Sequence, residues 1–311
     1  MSLRYAIEYV RRRYVDGRNV LGVGRGKKSV RKRLTEIDAI VVYVRRKGDQ
    51  YCARRRRLPS YVFDRDKDGR VNRRMRYPVD VRALGKVRFT CSGEKVLGQP
   101  ARKGTTTICF DAEGADGRTR CYALSCSHVI GYLLGSTYPT TPEVQLIGPE
   151  GEVYQGETIA HTYVQGGVLR YDLAIAEIED ASDLPLRHVP KASQDLTRMR
   201  TSELPMDRTV RIAAAESGGV YEGVVAGWLD TLPVEYAVNG SLVMVEVASL
   251  YEVRGFAPED GDSGGPVFVD DVVWGLVVAR FDEGCLVHHL GNATTYLFGG
   301  LRWPHEDISV F

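Results

Sequence analysis

The chain has 311 residues, 43% hydrophobic and 26% charged, which suits a globular protein with a sizeable core and excludes disordered or fibrous classes. Its net charge of +2 conceals a division: residues 1–90 hold 27 basic and 9 acidic residues and the remainder 15 and 31, so the two parts carry +18 and −16. No apolar stretch approaches the roughly 20 residues of a bilayer helix, and residues 1–20 are charged throughout with no apolar signal core, so a cytoplasmic protein without membrane association is expected.

Residues 3–15 predict a short helix, because Leu3, Ile7, Val10 and Tyr14 fall at helical spacing and Gly17 follows. Asn19-Val-Leu-Gly-Val-Gly predicts a strand interrupted by glycines, Ile37–Val44 a stronger one, and Tyr77–Val81 another. Together these make a small basic α/β module over residues 1–91. Asp64-x-Asp66-x-Asp68-Gly69 resembles the start of a calcium loop, but the twelfth position, where a bidentate Glu is needed, is Met75. A turn between strands is expected there instead. Cys91–Thr105, with Ser92-Gly93, Gly98, Pro100 and Gly104, reads as a linker into a second unit, residues 92–311.

Beyond Thr105 the texture changes to short strands separated by turns. Candidates are Thr106–Phe110, Arg120–Leu124, Val144–Ile147, Val153–Thr158, Asp172–Ile178, Thr209–Ala213, Val220–Trp228, Leu242–Val247, Val267–Val269, Val272–Val278 and Ala293–Phe298. Such spacing predicts a mainly β unit, a barrel or sandwich pair. The six cysteines, Cys52, Cys91, Cys109, Cys121, Cys126 and Cys285, show no Cys-x-x-Cys pair. They are expected to be thiols acting as small buried hydrophobes, with no bound metal and no cofactor.

Residues 261–266 read Gly-Asp-Ser-Gly-Gly-Pro between a loop and an apolar strand. A serine hydroxyl is a weak nucleophile and needs a tight turn that presents it. Backbone N–H groups must point to where negative charge develops on a carbonyl oxygen, and glycines allow that close approach. Ser263 is therefore the candidate nucleophile, with the N–H groups of Gly261 and Ser263 as oxyanion hole. A serine needs a base, and the base an orienting carboxylate. Leu-Ser-Cys-Ser-His-Val-Ile at 124–130 places His128 at a strand end, and Tyr-Asp-Leu-Ala-Ile-Ala at 171–176 places Asp172 at the mouth of an apolar strand. The order His, Asp, Ser has separations of 44 and 91 residues.

These three motifs resemble those of the trypsin/chymotrypsin family of serine peptidases, over about residues 92–300. The resemblance implies two six-stranded antiparallel β-barrels of the chymotrypsin type, with His128 and Asp172 from the first and Ser263 from the second. It implies a serine endopeptidase acting on protein or peptide substrates through an acyl-enzyme, with His128 as general base and Asp172 orienting it, and losing activity as His128 protonates. The family's disulfide beside the histidine is absent, and no activation cleavage producing a new apolar N-terminus is evident. Asp262 is the equivalent of the residue that pairs with that terminus in the digestive enzymes; it is expected to find an arginine or a backbone N–H, or else the site forms only on activation. The family's pocket-base position, six residues before the nucleophile, is Ala257, and Val278, Ala279 and Arg280 would line the wall. A small or apolar residue before the cleaved bond is the expectation. Arg280 would otherwise favour an acidic residue, and Glu259 or Asp260 a basic one.

The basic clusters at 11–13, 31–33, 45–47, 54–57 and 73–74 are interleaved with Tyr5, Tyr9, Tyr14, Tyr43, Tyr51 and Tyr61. Such a surface can take nucleic acid, an acidic partner, or the acidic second unit itself. The helix and strands of this module resemble the leader module on some bacterial trypsin-like peptidases. Two rival functions stand beside the protease: a catalytically silent trypsin-like fold used as a binding or scaffold module, and a nucleic-acid-responsive protease.

Overall fold

The computed structural model describes residues 3–31, 33–48, 57–89, 92–96, 99–113, 118–131, 143–147, 152–179, 206–238, 241–270 and 272–298. Helix α1 (Leu3–Tyr14) buries Ala6, Ile7, Val10 and Tyr14 along one stripe, as its spacing predicts. Strands β1 (Val20–Val30) and β2 (Arg33–Val44) form an antiparallel pair. The acidic turn joins β3 (Tyr61–Arg65) to β4 (Val71–Ala83), and Asp66 Oδ1 accepts the N–H groups of Asp68 (3.0 Å) and Arg70 (2.9 Å). The carboxylate thus caps its own turn. β4 runs parallel to β2, and the short strand β5 (Arg88–Phe89) follows.

The stretch expected to be a linker contains a hairpin, β6 (Ser92–Val96) with β7 (Gln99–Lys103). Pro100 and the flanking glycines punctuate the chain without preventing two short strands from pairing. Next come β8 (Ile108–Glu113), β9 (Thr119–Ser125), the one-turn helix α2 (Ser127–Ile130), β10 (Glu143–Ile147), β11 (Val153–His161), β12 (Val168–Leu169) and β13 (Ala174–Ile178). Five of these strands form an antiparallel sheet in the order β10-β11-β13-β9-β8.

The C-terminal part holds β14 (Thr209–Ala214), β15 (Gly219–Val238), β16 (Ser241–Arg254), β17 (Pro266–Val269), β18 (Val272–Phe281), β19 (Gly284–His289) and helix α3 (Leu290–Phe298). Here β14, β15, β16, β19, β18 and β17 pair in a closed antiparallel ring. Closure leaves this six-stranded barrel without open edges over most of its length. The fold is therefore mainly β, two β bodies of the double-barrel type preceded by a small α/β element, as expected, although among the described residues the first body shows five strands where six were expected.

Two expectations fail locally. Ala293–Phe298, predicted as a strand, is helical: Thr294 and Thr295 return their hydroxyls to the carbonyls of Leu290 and Gly291, which satisfies β-branched polar residues inside a helix. Strand β19 was not predicted, because Gly-Cys-Leu-Val-His-His has no alternation to read. All six of its residues are buried.

The N-terminal elements are continuous with the second barrel. β1 pairs with β15 at Gly24↔Leu229, Arg25↔Trp228 and Gly26↔Gly227. A Cβ on Gly24 would stand 1.8 Å from the Trp228 carbonyl oxygen, so the glycines that interrupt β1 permit this close approach. Across the same contact Arg82 of β4 donates to Glu252 of β16 (2.5 Å) and to Asp80 (3.0 Å), while Tyr43 donates its hydroxyl to Glu252 (2.8 Å). Burial opposes the Arg82 charge, but Glu252 beside it holds the guanidinium pKa above its ordinary value. Burial likewise opposes the Glu252 charge, and Arg82 and Arg254 hold that carboxyl below its ordinary value. Arg11 of α1 is also paired with Asp230 of β15. Among the described residues no helix is long and apolar enough to cross a membrane.

Candidate active site

β9 ends in a buried run that delivers the chain into α2, with His128 at its second position. Ser127 Oγ donates to the Thr162 carbonyl (2.5 Å), which ties this turn to the segment leading into β13. Thr162 also bonds the backbone of Leu173 in both directions, donating its N–H (2.9 Å) to the carbonyl and receiving the Leu173 N–H at its hydroxyl (3.0 Å). Asp172 is thereby fixed at the mouth of β13. Its Oδ1 accepts the His128 backbone N–H (3.0 Å), and its Oδ2 contacts His128 Nδ1. One carboxylate therefore orients both the backbone and the ring of the same histidine.

Ser263 lies on the turn before β17. Gly264 donates its N–H to the Val277 carbonyl (2.8 Å), Val277 returns its N–H to Gly265 (2.9 Å), and Thr105 donates its N–H to the Ser263 carbonyl (2.6 Å). Gly264 has φ +87°, and a Cβ there would be 2.0 Å from the Thr105 carbonyl oxygen, so only glycine fits after the serine. Ser263 Oγ stands 2.8 Å from His128 Nε2 and 3.2 Å from the Val278 carbonyl oxygen. His128 thus bridges Asp172 and Ser263 through its two ring nitrogens, and all three residues are fully buried.

Burial alone would raise the Asp172 carboxyl, but the charge and hydrogen bonds of His128 hold it below the ordinary carboxylate range. His288 of β19 is close enough to the pair for their charges to act on one another. Burial pushes its pKa down to about 4 despite the nearby Asp172 carboxylate, so it is neutral at pH 7. Its ring lies 5.4 Å from that of Tyr171, and the sequence offered no sign of this neighbour.

Asp262 needs no charged terminus. Its Oδ1 accepts the N–H groups of Glu216 (2.9 Å) and Ser217 (3.1 Å). Its Oδ2 accepts the N–H of Glu259 (2.8 Å) and contacts the Ser217 hydroxyl. Backbone N–H groups take the role, one of the two partners expected for it. Gly261 has φ +113°, a backbone conformation that favours glycine on this turn.

Of the expected pocket residues, Ala257 is exposed, Val278 and Ala279 are fully buried, and Arg280 is half-buried. Arg280 pairs with Asp260 (3.1 Å) and donates to the Pro258 carbonyl (3.3 Å). The two charges that competed as selectors are thus paired with each other. Cys126, His128 and Asp172 form a group whose donor atoms lie within 4.8 Å. Yet His128 Nδ1 faces Asp172, and the Cys126 thiol donates to the Val277 carbonyl (3.2 Å). Cys109, Cys121, Cys126 and Cys285 are free and buried, while Cys52 and Cys91 lie outside the described residues. Burial pushes the Cys121 thiol up to about 12 and Cys109 and Cys285 also upward.

Two aromatic residues at the site were not anticipated. The Phe89 ring of β5 lies 4.4 Å from the His128 ring, centroid to centroid, and Tyr236 of β15 stands 5.4 Å from Phe89 and 6.3 Å from His128. Both are buried. Nothing local in Val-Arg-Phe-Thr marks Phe89, because its partner is 39 residues further along the chain.

No protein-family model matches the sequence, and no curated protein matches it. Among solved structures the chain is similar to the inactive form of the Rv3671c protease of M. tuberculosis, at 15% identity and a TM-score of 0.39, covering 70% of this chain and 88% of that one. It is also similar to a serine endoprotease from Yersinia pestis, at 16% identity and a TM-score of 0.35, covering 62% and 61%. A third is an inactivated protease paralogue of the scabies mite, at 12% identity and a TM-score of 0.35, covering 62% and 92%. These neighbours are serine protease-like in fold.

Proposed function

We propose that this protein is a serine endopeptidase with limited, regulated specificity, in which Ser263 is the nucleophile, His128 the general base and Asp172 the residue that orients it. The observation that carries this reading is the bridging position of His128, with Nε2 2.8 Å from Ser263 Oγ and Nδ1 against the buried Asp172 carboxylate. In this reaction His128 accepts the Ser263 proton as Oγ attacks a peptide carbonyl. Asp172 stabilises the imidazolium, and the N–H groups of Gly261 and Ser263 receive the charge on the carbonyl oxygen. His128 then protonates the leaving amine, and water hydrolyses the acyl-enzyme. The free thiols support a reducing compartment, in keeping with a cytoplasmic protein.

Labelling with a fluorophosphonate probe tests this. The wild type labels, and Ser263→Ala and His128→Ala do not. Labelling that persists in Ser263→Ala would place the nucleophile elsewhere.

A further inference from the structure

A peptide can be cut at Ser263 only if it lies extended beside that residue. The edge of β18 that passes Ser263 is marked by Val278, whose carbonyl meets Ser263 Oγ at 3.2 Å. β17 covers this side of β18 only as far as Pro266↔Leu276, and the nucleophile turn takes Val277. Past Val277 the edge is open to another chain, and β5 occupies it. Arg88 pairs with Arg280, and Phe89 with Ala279, in antiparallel register. The direction from Arg88 to Phe89 is therefore the direction from Arg280 towards Val278 and Ser263.

The side chains agree with the backbone. Phe89 packs against His128 with the two rings tilted by 35° and meets Tyr236 edge-on. Leu84, Val87 and Phe89 are buried in the same apolar cluster, whereas the Arg88 side chain is exposed. The alternation is that of a strand laid into a groove. The segment is also held from its other edge, where Glu235 donates its N–H to the Val87 carbonyl (2.9 Å). With it in place Ser263, His128 and Asp172 have no exposure.

We propose that Arg88 and Phe89 occupy the place of a peptide substrate. The cleft takes an extended peptide along the Ala279–Arg280 edge, with an aromatic side chain seated on His128 against Tyr236. The chain's own segment fills that place and keeps the site closed. This deepens the protease reading and rests on it for the word substrate. The occupied peptide groove itself is independent of catalysis.

Two variants open the groove by different means. Phe89→Ala removes the ring. Arg88→Pro removes a backbone donor from the strand while altering only an exposed side chain, so it keeps the test valid if Phe89→Ala fails to fold. In either folded variant fluorophosphonate labelling of Ser263 accelerates at least about tenfold over wild type, the factor expected for about 1.4 kcal/mol of lost occlusion. In a Ser263→Ala background, a fluorescent peptide of residues 84–90 (Leu-Gly-Lys-Val-Arg-Phe-Thr) binds saturably to the opened variants. It does not bind the protein with its native segment, and its Phe→Ala version binds at least about tenfold more weakly. Measurable labelling at equal rates in wild type and both variants, or no peptide binding to the opened protein, overturns the proposal. Peptide binding without labelling in any variant supports the groove assignment and instead refutes the protease reading.

Discussion

Arg82 and Glu252 meet at 2.5 Å in a fully enclosed ion pair, one from the basic N-terminal element and the other from a strand of the closed barrel. Tyr43 and Arg254 also donate to Glu252, and Asp80 accepts from Arg82, so every charge in the group is answered. A network of this kind contributes little as a sum, but it becomes expensive when one member is removed. Replacing Arg82 by Met takes away the buried cation at Glu252 Oε2 and leaves that carboxylate only Arg254 and the Tyr43 hydroxyl. The expected loss is about 3–5 kcal/mol in denaturant unfolding. Replacing both, as Arg82→Met with Glu252→Leu, recovers most of it. A double variant as unstable as the single one would show that the pair matters for shape and not for charge.

The strand crossing beside this network makes a prediction of opposite character. Gly24→Ala places a methyl against the Trp228 carbonyl, a rigid backbone atom. Overpacking there costs about 1–3 kcal/mol or more. Gly17→Ala has open space around its new Cβ but sits at φ +66°, so its cost is backbone strain alone, about 1–2 kcal/mol. Thermal unfolding should therefore rank Gly24→Ala as the more damaging. The reverse order would mean that β1 does not press against β15 in solution.

His288 is expected to make stability depend on pH. Its folded pKa of about 4 lies below the unfolded value of 6.5, so the unfolded chain binds the extra proton between those values. Stability then rises with pH through that window and falls as pH drops from 6.5 towards 4, by up to about 3 kcal/mol from this one group. His288→Phe removes the titration and flattens the pH dependence of the urea midpoint. An unchanged slope would show that His288 takes a proton in the folded state.

Asp172 offers a sharper test of the triad than a deletion does. In Asp172→Asn the side-chain oxygen still accepts the His128 backbone N–H. The amide then turns its donor toward Nδ1 and favours the tautomer that carries its proton on Nε2, facing Ser263. That histidine cannot accept the serine proton. Labelling is expected to fall by about 10⁴-fold with the fold intact, the magnitude known for tautomer reversal in such triads. A loss below tenfold would argue against Asp172 as the orienting group.

How far the sequence reaches is seen best at the site itself. The three motifs, their order and the spacing that brings His128, Asp172 and Ser263 together were legible, because each rests on a short run whose chemistry is local: a glycine turn, a strand end, an acid before an apolar strand. Helix α1 and most of the barrel strands were legible too, from periods of about 3.6 and 2. α3 was not, because Thr294 and Thr295 look strand-forming until their hydroxyls find carbonyls one turn back. The partners of Asp262 were foreseen only as a type of group. Which N–H groups they are depends on how the 215–218 turn meets the nucleophile loop.

What the sequence by itself determined is which side chains are candidates for chemistry: a serine, a histidine and an aspartate in three short motifs, on a mainly β chain, behind a basic segment. What only the tertiary structure decided is what packs around those three residues. Phe89 on His128, Arg88 along Arg280, and Arg82 on Glu252 join residues far apart in sequence and leave no local periodicity to read. They arise because the end of β4 packs against the second barrel and carries the next residues alongside Ala279, Arg280 and His128. A contact of that kind is set by where two surfaces meet, and no single stretch of chain encodes it.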